Sequence, residues 1–158
     1  MTRIITPPLG RRATLLGATT FLSTGLSTGV SAIAAEVRVA TPGQTEGPYY
    51  PVDWSGDADA DLVQVQGEAA RASGQVLHLQ GRVLGLDGLP LAGAAIEIWQ
   101  CDALGVYRHP RDERGDRRRE PGFQGRGRAL TDATGAYRFR TIKPVAYPGR
   151  TPHIHVKV

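Results

Sequence analysis

From Gln75 onward, apolar residues recur in short alternating runs broken by glycine- and aspartate-bearing turns, and no stretch sustains helical spacing. Val76, Leu77, Leu79, Val83 and Leu84 predict a first strand, stopped by Gly85-Leu86-Asp87-Gly88. Pro90 to Gly93 is a second turn. Ala94 to Trp99 then alternates Ala, Ile, Ile against Ala, Glu, Trp and predicts a second strand. Gly127–Thr131, the turn Asp132–Gly135, Ala136–Thr141 and His153–Val158 complete the set. Short strands at such spacing imply an all-β antiparallel sandwich. The 20 glycines, 11 prolines and 6% aromatic content suit turns and strands better than a helical bundle.

The strands occupy only part of the 158 residues. Residues 1–35 read as a secretory signal: Arg3, Arg11 and Arg12, an uncharged run from Ala13 to about Ala32, and an Ala-x-Ala pattern within Ser31-Ala32-Ile33-Ala34-Ala35. Arg11-Arg12 before Ala-Thr-Leu-Leu points to the twin-arginine route, and hence to an exported, periplasmic or extracellular protein. The run is too rich in Thr, Ser and Gly for stable membrane insertion. Without the leader's three arginines the balance is 16 basic to 15 acidic residues, so the formal charge of +4 is no argument for nucleic-acid binding. Arg117-Arg118-Arg119 sits among Asp112, Glu113, Asp116 and Glu120 and reads as a solvated loop. A single cysteine, Cys101, excludes an internal disulfide; its place after an apolar run predicts a half-buried thiol. Residues 36–74 form a turn-rich arm with weak periodicity, which composition alone reads as an irregular cover over the sheet; residues 75–158 form the sandwich.

The last strand carries the chemistry. In His153-Ile154-His155-Val156-Lys157-Val158 the two imidazoles share one face, about 6.5 Å apart at Cα, while Ile154, Val156 and Val158 are expected to enter the core. Two imidazoles so placed can converge on one metal ion. Pro144, Pro148 and Pro152 stiffen the approach, along which Tyr147 and Arg150 are presented; a phenol and a guanidinium there suggest an anionic ligand. No carboxylate lies near the pair to complete a two-histidine, one-carboxylate site, and Cys101 alone does not make a structural zinc site. The available donors are phenols, from Tyr147 with Tyr107 of the long 100–127 connection as a second candidate. A phenol ionises near pH ~10, so binding as phenolate at neutral pH needs a hard, highly charged cation, for which ferric iron is suited. His78, in the first strand, is expected to be an exposed or hydrogen-bond-satisfied strand residue.

Trp99-Gln100-Cys101-Asp102-Ala103-Leu104-Gly105-Val106-Tyr107-Arg108-His109, with Thr141-Ile142-Lys143-Pro144 and Tyr147-Pro148-Gly149-Arg150-Thr151-Pro152-His153-Ile154-His155, resembles the intradiol ring-cleavage dioxygenases. The likeness runs from about Thr41 to Val158. It implies one non-haem Fe(III) per chain held by Tyr107, Tyr147, His153 and His155, with Tyr147 and His155 axial. It implies a catechol-type substrate cleaved by O₂ between its hydroxylated carbons to a muconic-type diacid. Tyr147 would act as base and Arg150 would stabilise charge developing on the ring. Trp99 would pack beside the site, and Gly47, Pro48 and Tyr49 of the arm would wall the substrate pocket. Family members generally associate into oligomers, so a homo-oligomer is expected. They also continue with further strands, so the sandwich is expected to be incomplete at its C-terminus. The competing reading is an exported binding or structural module of transthyretin (prealbumin)-like topology, whose first hairpin the stretch Gly81–Ala94 resembles; that topology is expected of the sandwich in either case.

Overall fold

The computed structural model describes residues 38–158; the expected leader lies outside them. Five strands follow in order: β1 (Val76–Arg82), β2 (Ala95–Trp99), β3 (Arg126–Leu130), β4 (Ala136–Ile142) and β5 (His155–Lys157). They form two antiparallel sheets, β1–β4 and β3–β2–β5. No helix occurs among the described residues. The all-β antiparallel sandwich is the observed fold, and β1 to β4 begin or end within one or two residues of their predicted bounds.

The alternation explains how the sheets meet. Ile96 and Ile98 point inward from β2, Phe139 and Ile142 from β4, and all four are fully buried in one cluster. The hairpin joining β3 to β4 carries the chain from one sheet to the other. Its turn is held by Asp132, whose Oδ1 accepts N–H bonds from Thr134 (2.8 Å) and Ala136 (3.0 Å). Gly135 closes it at φ 73°, where a side chain would run into the Val83 carbonyl.

The arm enters this core directly. Leu62 and Val63 are 0% and 1% exposed and pack with the four strand residues. Leu62 N–H bonds the Arg140 carbonyl (2.8 Å) and Arg140 N–H the Ala60 carbonyl (2.8 Å), so the arm runs as a short parallel partner along β4. Asp61 and Arg140 add an ion pair at 3.0 Å. Two apolar residues amid acids and glycines give no periodic signal, which is why composition reads this segment only as a cover.

Four expectations are corrected. β5 is shorter than His153–Val158: its partner β2 ends at Trp99, opposite His155, so His153 has no strand residue to pair with. Ile154 packs against the core, but Val156 and Val158 are 46% and 70% exposed, because β5 is the edge of its sheet. Cys101 is buried rather than half-buried, its Sγ 3.7 Å from the Val145 carbonyl, and burial with the Asp102 charge pushes its thiol up to about 11. Nor is the arginine run simply solvated. Arg117 reaches the Gly105 carbonyl (2.8 Å) and Asp112 (3.2 Å), and Arg119 pairs with Glu113 (3.3 Å). His78 is exposed, as expected.

Candidate metal centre

The long connection after β2 is ordered by two aspartates. Asp102 accepts N–H bonds from Leu104, Val106 and Glu120 at 2.9, 2.9 and 2.7 Å, folding the chain back on itself. Asp112, 8% exposed, accepts the Tyr107 N–H at 2.8 Å and pairs with Arg117. Together they hold Tyr107 inward, 2% exposed, beside Trp99 and Cys101 in a second core cluster. Tyr147 is carried by the proline-rich segment, whose tight turn is closed by the Arg150 N–H bond to the Tyr147 carbonyl (2.9 Å).

These two phenols meet the two imidazoles. Tyr107 Oη lies 3.2 Å from His155 Nε2, Tyr147 Oη 3.4 Å from His153 Nε2, and the two Nε2 atoms 3.1 Å apart. His153 Nδ1 is 2.6 Å from the Thr151 carbonyl oxygen. A carbonyl only accepts, so Nδ1 carries a proton and Nε2 is turned into the cluster. Burial, then the charges of His153 and Arg150, push His155 down to about 4, leaving that imidazole neutral at physiological pH. Burial, reinforced by the neighbouring Tyr147, drives the Tyr107 phenol far above its ordinary value.

Four polar atoms, two phenol oxygens and two imidazole nitrogens, thus converge on one point. The two imidazole nitrogens face each other at hydrogen-bond distance, and burial keeps the Tyr107 phenol neutral in the absence of a cation. A transition ion about 2 Å from each donor would place neighbouring donors roughly 3 Å apart, which is the spacing observed. Two phenols and two imidazoles are hard and borderline donors, and only a highly charged ion converts both phenols to phenolates. The residues present fit ferric iron.

The predicted wall residues surround this cluster. The Trp99 indole stacks on His155, with centroids 4.7 Å apart and planes 6° from parallel. Tyr49 stacks on Tyr107 (4.7 Å, 22°) and stands edge-on to Tyr147 (6.1 Å, 70°). Gly47, at φ 77°, brings the arm so close that a Cβ there would lie 3.7 Å from His155 Cε1. Pro48 is exposed between them. Arg150 is exposed at the rim, with its charge bearing on both Tyr107 and His155. Sequence reasoning missed Asp102 and Asp112, which set the Tyr107 loop, and the pair Tyr50 and Glu97. The signal for the aspartates was a turn-forming acid within five residues of the tyrosine.

Residues 45–156 match the dioxygenase family Dioxygenase_C. The chain is 40% identical over 115 residues to the protocatechuate 3,4-dioxygenase beta chain of Burkholderia cepacia, covering 68% of this chain and 48% of that one. It is 38% identical over 117 residues to catechol 1,2-dioxygenase 2 of Acinetobacter lwoffii, covering 72% and 38%. The chain thus spans about half or less of the length of these relatives. Among solved structures it is similar to the dioxygenase domain of a dioxygenase carbohydrate-binding fusion from Streptomyces sp. SirexAA-E (TM-score 0.53, 36% identity, 73% of this chain and 64% of that one). It is also similar to an intradiol ring-cleavage dioxygenase from Tetranychus urticae (TM-score 0.55, 30% identity, 70% and 54%). With the fold and the paired phenols and imidazoles in hand, these matches establish that the chain belongs to the intradiol ring-cleavage dioxygenase family.

Proposed function

We propose that this chain binds one ferric ion through Tyr107, Tyr147, His153 and His155, and with it cleaves a catechol-type ring between its two hydroxylated carbons, using O₂. The observation that carries this reading is the convergence of two phenol oxygens and two imidazole Nε2 atoms at 3.1 to 3.4 Å. When bound, the iron would supply the Lewis acidity that keeps both phenols ionised and draws electron density from a chelated diol.

The residues divide the remaining work. The neutral His155 offers a lone pair without competing for protons, and His153 is held in place by its Nδ1 contact with the Thr151 carbonyl. Tyr107 is locked from behind by Asp112, and its ring is covered by Tyr49, so it is suited to stay in place. Tyr147 is only half-buried and sits on a short turn, which suits a phenolate that takes the proton of an incoming diol at its Oη. Arg150, exposed at the rim, favours an anionic ring and the negative charge that develops on it. Tyr49 and Trp99 pack flat against Tyr107 and His155, and Gly47 lets the arm close over His155, so these residues wall the pocket for a planar ring. Export by the twin-arginine route belongs to the same proposal; it suits a protein that takes up its metal before leaving the cytoplasm, and it rests on residues 1–35 alone.

Purified protein tests the proposal through its metal content and its optical spectrum before and after addition of catechol or protocatechuate. One iron per chain, a visible phenolate band and a change in that band with the diol are expected. A protein without metal would leave the non-catalytic sandwich module, and a colourless zinc protein would place a different chemistry at the site.

A further inference from the structure

The Trp99 indole is 2% exposed, and its Nε1–H has no hydrogen-bond partner among the described residues. No polar contact among the described residues sets its orientation, so packing does, and within its cluster two ring contacts bear on the indole directly. One is the stack on His155. The other is Tyr50, whose ring meets the indole edge-on at 5.1 Å and 90°. Tyr50 in turn is tied down: its Oη–H donates to Glu97 Oε2 at 2.7 Å. Glu97 is held by Arg128, with Nε at 2.8 Å and Nη2 at 2.7 Å, and Lys157 stands opposite it in the sheet register and over the Tyr50 ring at 4.5 Å. Glu97 and Trp99 are two apart on β2, so both project from the same sheet face, toward the arm that carries Tyr50.

We propose that Tyr50 and Glu97 are positioning residues for the metal centre: their hydrogen bond pins the edge of Trp99, and the face of Trp99 sets the plane of the His155 imidazole. The proposal rests on the ferric-site reading for its purpose, but the mechanical chain from Glu97 to His155 exists in the protein itself. Outer contacts of this kind orient a ligand so that its lone pair meets the metal without reorganisation. Without the Tyr50 hydroxyl the ring would keep its volume but lose this hydrogen bond, and the edge of Trp99 would be held less firmly. A glutamine at 97 retains an oxygen that accepts the Tyr50 hydroxyl, so it should restore what a leucine there destroys.

The test uses the full-length protein in metal-free form at one fixed pH, comparing wild type, Tyr50→Phe, Glu97→Leu and Glu97→Gln. The readout is the NMR resonance of the His155 Cε1 proton, which the stacked indole shields. Tyr50→Phe and Glu97→Leu are expected to move it downfield, and Glu97→Gln to leave it near the wild-type position. A Tyr50→Phe resonance that coincides with wild type overturns the proposal, as does a Glu97→Gln shift as large as that of Glu97→Leu. Titration with ferric nitrilotriacetate then reads the consequence: a loss of affinity of about 10-fold in Tyr50→Phe, with the Glu97→Gln protein near wild type. Equal iron affinity in wild type and Tyr50→Phe also counts against positioning. If wild type takes up no iron, the ferric reading falls while the NMR comparison still decides whether Tyr50 and Glu97 orient His155.

Discussion

Trp99 and His155 are directly opposed in the β2–β5 register, and their rings lie face to face 4.7 Å apart. A ligand of the candidate centre is thereby built into the sheet, and the loops bring the phenols to it. The asymmetry between a strand-borne histidine and loop-borne tyrosines shapes what each substitution should do.

Tyr107→Phe keeps the ring that stacks on Tyr49 and removes only the oxygen. Stability should change by about 1 kcal/mol or less, the scale of a single hydrogen bond. The iron-loaded variant should show a weakened visible phenolate band, since one of two phenolates remains. An unchanged absorption spectrum would remove Tyr107 from the ligand set.

Asp112→Ala should loosen the same tyrosine from behind. The carboxylate is buried and holds the Tyr107 N–H and Arg117. Its loss leaves a buried donor unpaired, at a cost of about 1–3 kcal/mol in urea denaturation. Iron retained per chain should fall with it, because the loop that presents Tyr107 loses its closure. Metal analysis after gel filtration checks this.

Phe139→Ala removes the largest apolar side chain that β4 places between the two sheets, 0% exposed. The expected loss is about 3–5 kcal/mol, from lost transfer energy and the cavity left behind. The His153–His155 geometry should survive in whatever fraction stays folded, since Phe139 touches only the first core cluster. Chemical denaturation followed by Trp fluorescence measures the loss.

Asp132 gives the fold an acid-side dependence. Hydrogen bonds from the Thr134 hydroxyl and from the Ala136 and Thr134 N–H groups hold its carboxyl below the ordinary value of 3.8. A folded-state value depressed in this way contributes stability above the unfolded-state value. That contribution is lost as pH falls through the folded one. Asp132→Ala should therefore lower the urea midpoint at pH 7 and narrow its gap to wild type near pH 3. A gap that is the same at both pH values would show that the carboxylate charge is not what closes the turn.

Much of this protein was legible along the chain. Alternation marks β1 to β4 because a strand's two-residue period is local, and the turns at 85–88 and 132–135 announce themselves through glycine and aspartate. His153 and His155 share a face for the same reason, and the spacing of Trp99, Tyr107, Tyr147 and Arg150 around them carried the family resemblance. The fold alone decided the rest, through contacts between residues far apart in sequence. It drew Leu62 and Val63 into the core, shortened β5 to the length its partner β2 could pair, and set Tyr50 on Glu97 across 47 positions. Above all it brought the oxygens of Tyr107 and Tyr147 to within 3.4 Å of the imidazoles. Periodicity records which way a side chain faces. Whether two faces meet depends on sheet register and on how buried carboxylates such as Asp102 and Asp112 close the loops between them.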